Sequence, residues 1–155
     1  MDIKKLFSIA GEIHETIGRN HDVSIYVNAL ECNFELNNIQ YIRNARYSLV
    51  YKNKEIGEVV VDFYFPQTDE ILKVFSYEKN YDLVPDIELL KNQSKNINKN
   101  SLFINFIRSR KGVYTSNTET ENHFFERKQH VIIGRLQINE QNNDNNNDSE
   151  MMELD

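Results

Sequence analysis

Val59-Val60-Val61-Asp62-Phe63-Tyr64-Phe65, then Pro66-Gln67-Thr68-Asp69, then Glu70-Ile71-Leu72-Lys73-Val74-Phe75-Ser76-Tyr77 is the stretch that decides the fold. Two runs rich in β-branched and aromatic residues flank a polar turn, which reads as two successive strands. Pro66 ends the first run because proline cannot donate to a strand ladder. Asp62 is the odd residue in it. An acid inside so apolar a run needs a reason, since an unpaired buried carboxylate is costly. Strand alternation puts it on one face with Val60 and Tyr64. Upstream, residues 40–51 hold Tyr41, Ile42, Tyr47, Leu49, Val50 and Tyr51, and Lys52-Asn53-Lys54 turns that run into the strand over 55–65. The third strand covers 70–77.

Working outward, residues 3–17 place Ile3, Leu6, Ala10, Ile13 and Ile17 at helical spacing, with Gly18 as the stop. A second helix fits 23–36, with Val23, Tyr26, Val27, Leu30 and Phe34 as its apolar stripe and Asp22 as the N-cap, whose carboxylate suits the first free backbone N–H groups. Beyond the strands, 82–95 reads as a helix with Pro85 in its first turn. Ser101–Ile107 is apolar enough for a central strand, and residues 109–122 are polar and loop-like. Residues 131–138 fit a final edge strand. The expected order is ααβββαβ with that optional last strand: an α/β (α+β) layered domain over 1–138 built on a mixed sheet of about four strands. From 139 to 155 the chain is acidic, Asn-rich and of low complexity, and is expected to be disordered because it buries too little to offset chain entropy.

The 155 residues suit one domain. Lys and Arg number 18, Asp and Glu 24, for a net charge of −6. Six of the acids lie in residues 139–155, so the body is neutral, with 18 of each sign. A neutral body makes no general electrostatic case for nucleic acid. No stretch approaches the roughly 18–20 apolar residues of a membrane span, so no membrane association is expected. One cysteine, Cys32, excludes an internal disulfide and a multi-cysteine zinc site. His14, His21, His123 and His130 lack zinc-site spacing. These features suggest an intracellular, cytoplasmic protein. Abundant Asn and Ile with few Ala suggest an A/T-rich genome, such as that of a large DNA virus, for which the place would be the host cytoplasm or the virion.

Ile13-His14-Glu15-Thr16-Ile17-Gly18, then Tyr26 and Ala29-Leu30, resembles the opening of the GxxExxY proteins, small members of the PD-(D/E)XK nuclease-like superfamily. The likeness continues through Tyr51–Glu58 to Asp62 and resumes in Leu102-Phe103-Ile104-Asn105-Phe106, similar to the family's apolar strand ending in Ile-Asn-Phe. The three fixed places of the naming motif fall on Asn20, Val23 and Tyr26, so its glycine and glutamate are gone. Val23, on the apolar stripe, reads as packing in place of that carboxylate. The resemblance implies a nuclease-like core and, in active members, two acidic groups and a lysine around a hard cation. Mg²⁺ takes converging oxygen ligands, activates water and clamps the scissile phosphate. Asp62 fills the first acidic place and is the metal ligand of any active form, and Lys73 fits the lysine. The glutamate two residues before it is Ile71. Glu70 is one residue off and faces the other way unless a bulge re-aims it. A further family position, usually Gln on the following helix, falls near Glu88, a replacement carboxylate for a migrated site.

Asp62, Lys73 and Glu88 are therefore vestigial catalytic candidates. The expectation is no cofactor and no efficient Mg²⁺-dependent cleavage, with a Mg²⁺ nuclease as the alternative. Arg108, Arg110 and Lys111 follow the Ile-Asn-Phe strand, and Lys91, Lys95 and Lys99 repeat every four residues, the candidate phosphate-binding surface. A nuclease-like fold with an eroded site points to a protein-binding or scaffolding module, with a protein partner, a larger assembly or self-association expected first and nucleic acid as the alternative.

Overall fold

The runs around Asp62 become neighbouring strands of one mixed sheet in the computed structural model, which describes residues 1–78, 80–108, 131–138 and 149–153. The elements are α1 (Ile3–Ile17), α2 (Val23–Leu36), β1 (Ile42–Tyr51), β2 (Lys54–Phe65), β3 (Glu70–Phe75), α3 (Asn80–Ile97), β4 (Asn100–Phe106), β5 (Val131–Leu136) and β6 (Ser149–Glu153). Spatial order follows chain order from β1 to β6. Among the described strands only β3 and β4 run parallel, because α3 carries the chain back across the sheet between them. The other neighbours are antiparallel.

The mixed α+β architecture is the expected one, with six strands among the described residues rather than about four. The strand foreseen at 131–138 is present but is not the edge, since β6 pairs beyond it with Ile133 opposite Met152. That β6 lies within the 139–155 segment expected to be disordered is a correction. A strand with a free row of N–H and C=O groups recruits a neighbour, and Met151-Met152 gives an otherwise polar stretch two apolar residues. Residues 139–148 and 154–155, and the loop foreseen at 109–122, lie outside the described residues.

The helices bury the faces their spacing predicts, with three departures. α1 buries Ile3, Leu6, Ala10 and Ile13, and Asp2 caps it by accepting from the Lys4 N–H at 3.0 Å. α2 buries Tyr26, Val27, Leu30 and Phe34, but its first residue, Val23, is 38% exposed, so packing does not replace the missing carboxylate there. Asp22 stands at the N-cap, yet its side chain makes no capping bond; its backbone C=O accepts from the Ile25 N–H at 3.0 Å instead. α3 starts at Asn80, which makes Pro85 its sixth residue and removes one internal helix hydrogen bond.

The sheet carries a core on each face. α1 and α2 cover Phe63, Phe65, Leu72, Leu102 and Phe106. Leu83 and Leu90 of α3 cover Val61, Ile71, Phe103 and Ile132. Each such side chain contributes about 1.5–3 kcal/mol by leaving water. Val59 and Val61 belong to the α3-side core, whereas Phe63 and Phe65, of the same parity, belong to the other. β2 therefore turns over at Asp62. Opposite it in the register, between Arg43↔Phe63 and Ala45↔Val61, Asn44 takes φ 54°, a left-handed value that asparagine tolerates better than most residues. A second irregularity, between Leu49 and Val50, and the charges of Arg43 and Arg46 blunt β1 as a sheet edge.

Candidate functional site

Asp62 occupies the point where β2 parts from β3. The paired register of the two strands runs Phe65↔Glu70, Tyr64↔Ile71 and Phe63↔Leu72, and the next step outward would set Asp62 against Lys73. There the ladder is replaced by a side chain: the Asp62 carboxylate, through Oδ2, accepts from the Val74 backbone N–H at 2.7 Å. The half-buried acid thus has a structural partner, a backbone N–H. Lys73 is also half-buried, and its Nζ donates to the Val60 C=O at 3.3 Å. Asp62 and Lys73 are on neighbouring strands, as the resemblance implies.

The residue between them in the family pattern is the decisive one. Ile71 is fully buried, with 0% exposure, in the core beneath Leu83 and Leu90. Glu70 does not replace it. The register from Glu70 to Leu72 has no bulge, so strand alternation sends Glu70 to the opposite face. There it is 7% exposed, accepts the Met1 ammonium at 2.5 Å and lies 3.4 Å from Arg135 Nε. The Arg135 guanidinium also donates to the Met1 C=O. This ionic cluster fixes the start of α1 against the sheet.

These residues do not fit a hard divalent cation, which needs several converging oxygen donors. One oxygen of Asp62 is committed to the Val74 N–H, the neighbouring ligand place is a core isoleucine, and Glu70 faces away. Among the described residues no group of three or more His, Cys, Asp or Glu is placed to hold a metal ion. Glu88 is exposed on α3 and lines a groove with Leu136 of β5. Because β3 and β4 separate β2 from β5, strand spacing alone sets the two strands about 14 Å apart.

The Ile-Asn-Phe strand has a structural reason for its asparagine. Asn105 is 1% exposed; its side-chain oxygen accepts from the Tyr77 N–H at 2.7 Å and its amide donates to the Tyr77 C=O at 3.3 Å. It extends the β3–β4 pairing past Phe75 and fixes the chain where it leaves for α3. The Tyr77 hydroxyl donates to the Asp86 carboxylate, and that bond, then burial, pushes its pKa up to about 12. Tyr47 is also pushed up to about 12, by burial first and then by Tyr64 and Asp69. Both hydroxyls stay protonated at neutral pH, hydrogen-bond donors rather than bases.

Tyr26, the surviving residue of the family motif, locks the α1–α2 connection. Its hydroxyl donates to the Gly18 C=O at 2.8 Å, and its ring stacks on Phe106 with centroids 4.2 Å apart. Gly18 has φ 82°, which accounts for glycine at that stop. Arg108 is half-buried against the same connection, its backbone N–H on the Tyr77 C=O at 3.2 Å and its guanidinium 3.5 Å from the His21 C=O. That geometry turns it inward. Arg110 and Lys111 lie outside the described residues. Lys99 is past the end of α3 and pairs with Asp69 at 2.8 Å, so the foreseen lysine row shortens to Lys91 and Lys95, which share the groove with Glu88.

Sequence reasoning missed the work of Asn105 and of Glu70. A polar residue inside Ser-Leu-Phe-Ile-Asn-Phe-Ile was a signal, since buried amides require partners. Nothing local marks the distant partners of Glu70. A family model described as the PD-(D/E)XK nuclease superfamily matches residues 2–112. Neither the curated proteins nor the solved structures yield a match. The match spans both N-terminal helices, Asp62, Lys73 and the Ile-Asn-Phe strand, and the chain belongs to that superfamily.

Proposed function

We propose that this member of the PD-(D/E)XK nuclease superfamily is a catalytically degenerate domain that serves as a protein-binding or scaffolding module, as a subunit of a larger assembly. The observation that carries this reading is Ile71, with 0% exposure, at the place of the family's glutamate. A metal-dependent hydrolase needs that carboxylate beside the Asp to gather the cation that activates water. Here the place is part of the core, and the surviving acid and lysine both bond to backbone, Asp62 to Val74 N–H and Lys73 to Val60 C=O. Residues once suited to phosphate chemistry hold the strands where β2 leaves β3.

The neutral body and the inward Arg108 favour a protein over a polyanion as partner. The reading is tested by titrating the chain with Mn²⁺ and following the free ion by its electron paramagnetic resonance signal. The expected result is no saturable site in the millimolar range and no difference between the wild type and Asp62→Asn. A stoichiometric Mn²⁺ site lost in Asp62→Asn would overturn it.

A further inference from the structure

We propose that α2 is the contact helix of a symmetric dimer, its outer face packed antiparallel against the same face of a second copy of this chain. The inference goes beyond the reading above and does not depend on whether the domain cleaves. Ile25, Ala29, Cys32 and Leu36 follow each other along α2 at steps of four, three and four residues, the spacing of a coiled-coil seam. At about 3.6 residues per turn they fall within about 60° of one another. The buried residues of the helix, Tyr26, Val27, Leu30 and Phe34, take the opposite side. The seam therefore points away from the sheet. Its two large residues are open to water, Ile25 at 43% and Leu36 at 82% exposure, and Cys32 between them is also exposed.

The pattern itself selects the occupant. In chain order the seam runs large, small, small, large, and it reads the same backwards. A two-fold axis level with the bond between Leu30 and Glu31 sets Ile25 against Leu36 of the second copy and Ala29 against its Cys32, the isologous match that a two-fold interface needs. Large side chains meet at both ends, and the small pair in the middle lets the backbones approach closely. Charge selects the direction. α2 carries Glu31 and Glu35 and no Lys or Arg, so a parallel pair would bring each acid beside its own copy. Antiparallel, Glu35 falls between the levels of Ser24 and Asn28 of the second copy, both uncharged, while Glu31 is held by Arg43 at 3.2 Å. Asn28 and Asn33, which flank the seam, are uncharged as well. From Ile25 to Leu36 the helix rises about 16.5 Å, a short seam that belongs with the smaller, reversible interfaces.

Cys32, the one cysteine of the chain, sits beside the proposed axis and reports on it. With helix axes about 8–10 Å apart, a Cα radius of about 2.3 Å and a rise of about 1.5 Å per residue, the two Cys32 Cα atoms stand about 5.5–7 Å apart, within disulfide reach at the closer approach. The full chain is followed by analytical ultracentrifugation over a micromolar concentration series. It is also oxidised with diamide, which takes up the two electrons and two protons as a disulfide forms, and run without reductant. The expected result is a reversible monomer–dimer equilibrium in the wild type and in Cys32→Ser, weakened about tenfold or more in Ile25→Glu and in Leu36→Glu. Both Glu substitutions sit on exposed helix positions and leave the core intact. Oxidation should link the wild type into a covalent dimer and the Glu variants far less. In Ile25→Cys/Cys32→Ser the thiols lie at opposite ends of an antiparallel pair, about 16.5 Å apart along the axis, and should not link. A monomer at every concentration, or a dimer and a cross-link that both Glu variants leave unchanged, would overturn the proposal. Efficient cross-linking of Ile25→Cys/Cys32→Ser would overturn the antiparallel arrangement. A Mn²⁺ site would overturn the reading of the domain without touching this contact.

Discussion

Restoring the glutamate of the family pattern, Ile71→Glu, should wreck the fold rather than revive a nuclease. Ile71 has no exposed surface and packs among Leu83, Leu90 and Phe103. Removing that side chain from the core forfeits about 1.5–3 kcal/mol of burial, and leaving a carboxylate among those neighbours adds a further penalty of about 1–3 kcal/mol or more. The sum, about 2.5–6 kcal/mol or more, is a large part of the whole stability of a small domain, about 5–15 kcal/mol. Ile71→Val, which keeps the shape and loses one methyl, should cost only about 1 kcal/mol. Urea unfolding followed by circular dichroism gives both numbers, and the deficit of the Glu variant should shrink in mild acid, where a buried carboxyl takes up a proton. The decisive comparison repeats the melts with millimolar Mg²⁺. A Glu variant that stays within about 1 kcal/mol of wild type, or that Mg²⁺ restores, would refute the reasoning, because it would mean that the position still opens onto a cation site.

Three further outcomes follow from the same geometry. Asp62→Ala should cost about 1–3 kcal/mol by leaving the Val74 N–H without its partner, while Asp62→Asn, which keeps an acceptor oxygen, should cost clearly less; urea unfolding of the pair checks this. Asn105→Ala should cost about 2–3 kcal/mol and increase hydrogen exchange at the Tyr77 amide, which loses its only bond to that side chain. Burial, then the Arg19 charge, lowers the His14 pKa below 6.5. A histidine with a depressed folded pKa supplies stability that is present above its unfolded value and lost as pH falls through the folded one. Stability should therefore decline below pH 6.5 with a slope that His14→Gln removes, as measured by unfolding across that range.

Local pattern carried the framework because each early element announces itself. The α1 spacing, the two hairpin-like turns and the apolar Ser101–Ile107 run are all signals of period and punctuation, and all appear as elements. The alternation rule also placed Ile71 and Glu70 on opposite faces, as found. Illegible features depend on partners far away in the chain. Glu70 is settled by Met1 and Arg135, the Asp62 carboxylate by a backbone N–H on the next strand, and β6 by the free edge of β5. Val23 misled because helical spacing predicts direction but not whether another element lies over the first turn. Glu88 was read beside Asp62, whereas it lines a groove with Leu136, a placement fixed by the order of strands rather than by any residue nearby.

Cleavage itself tests the central claim most directly. Purified wild-type chain is incubated with end-labelled single- and double-stranded DNA and RNA in Mg²⁺ and in Mn²⁺, beside the Asp62→Ala and Lys73→Ala variants. With a core isoleucine where the cation needs a carboxylate, the substrates should remain intact and the three proteins should be indistinguishable. Metal-dependent cleavage by the wild type that disappears in both variants would contradict the account.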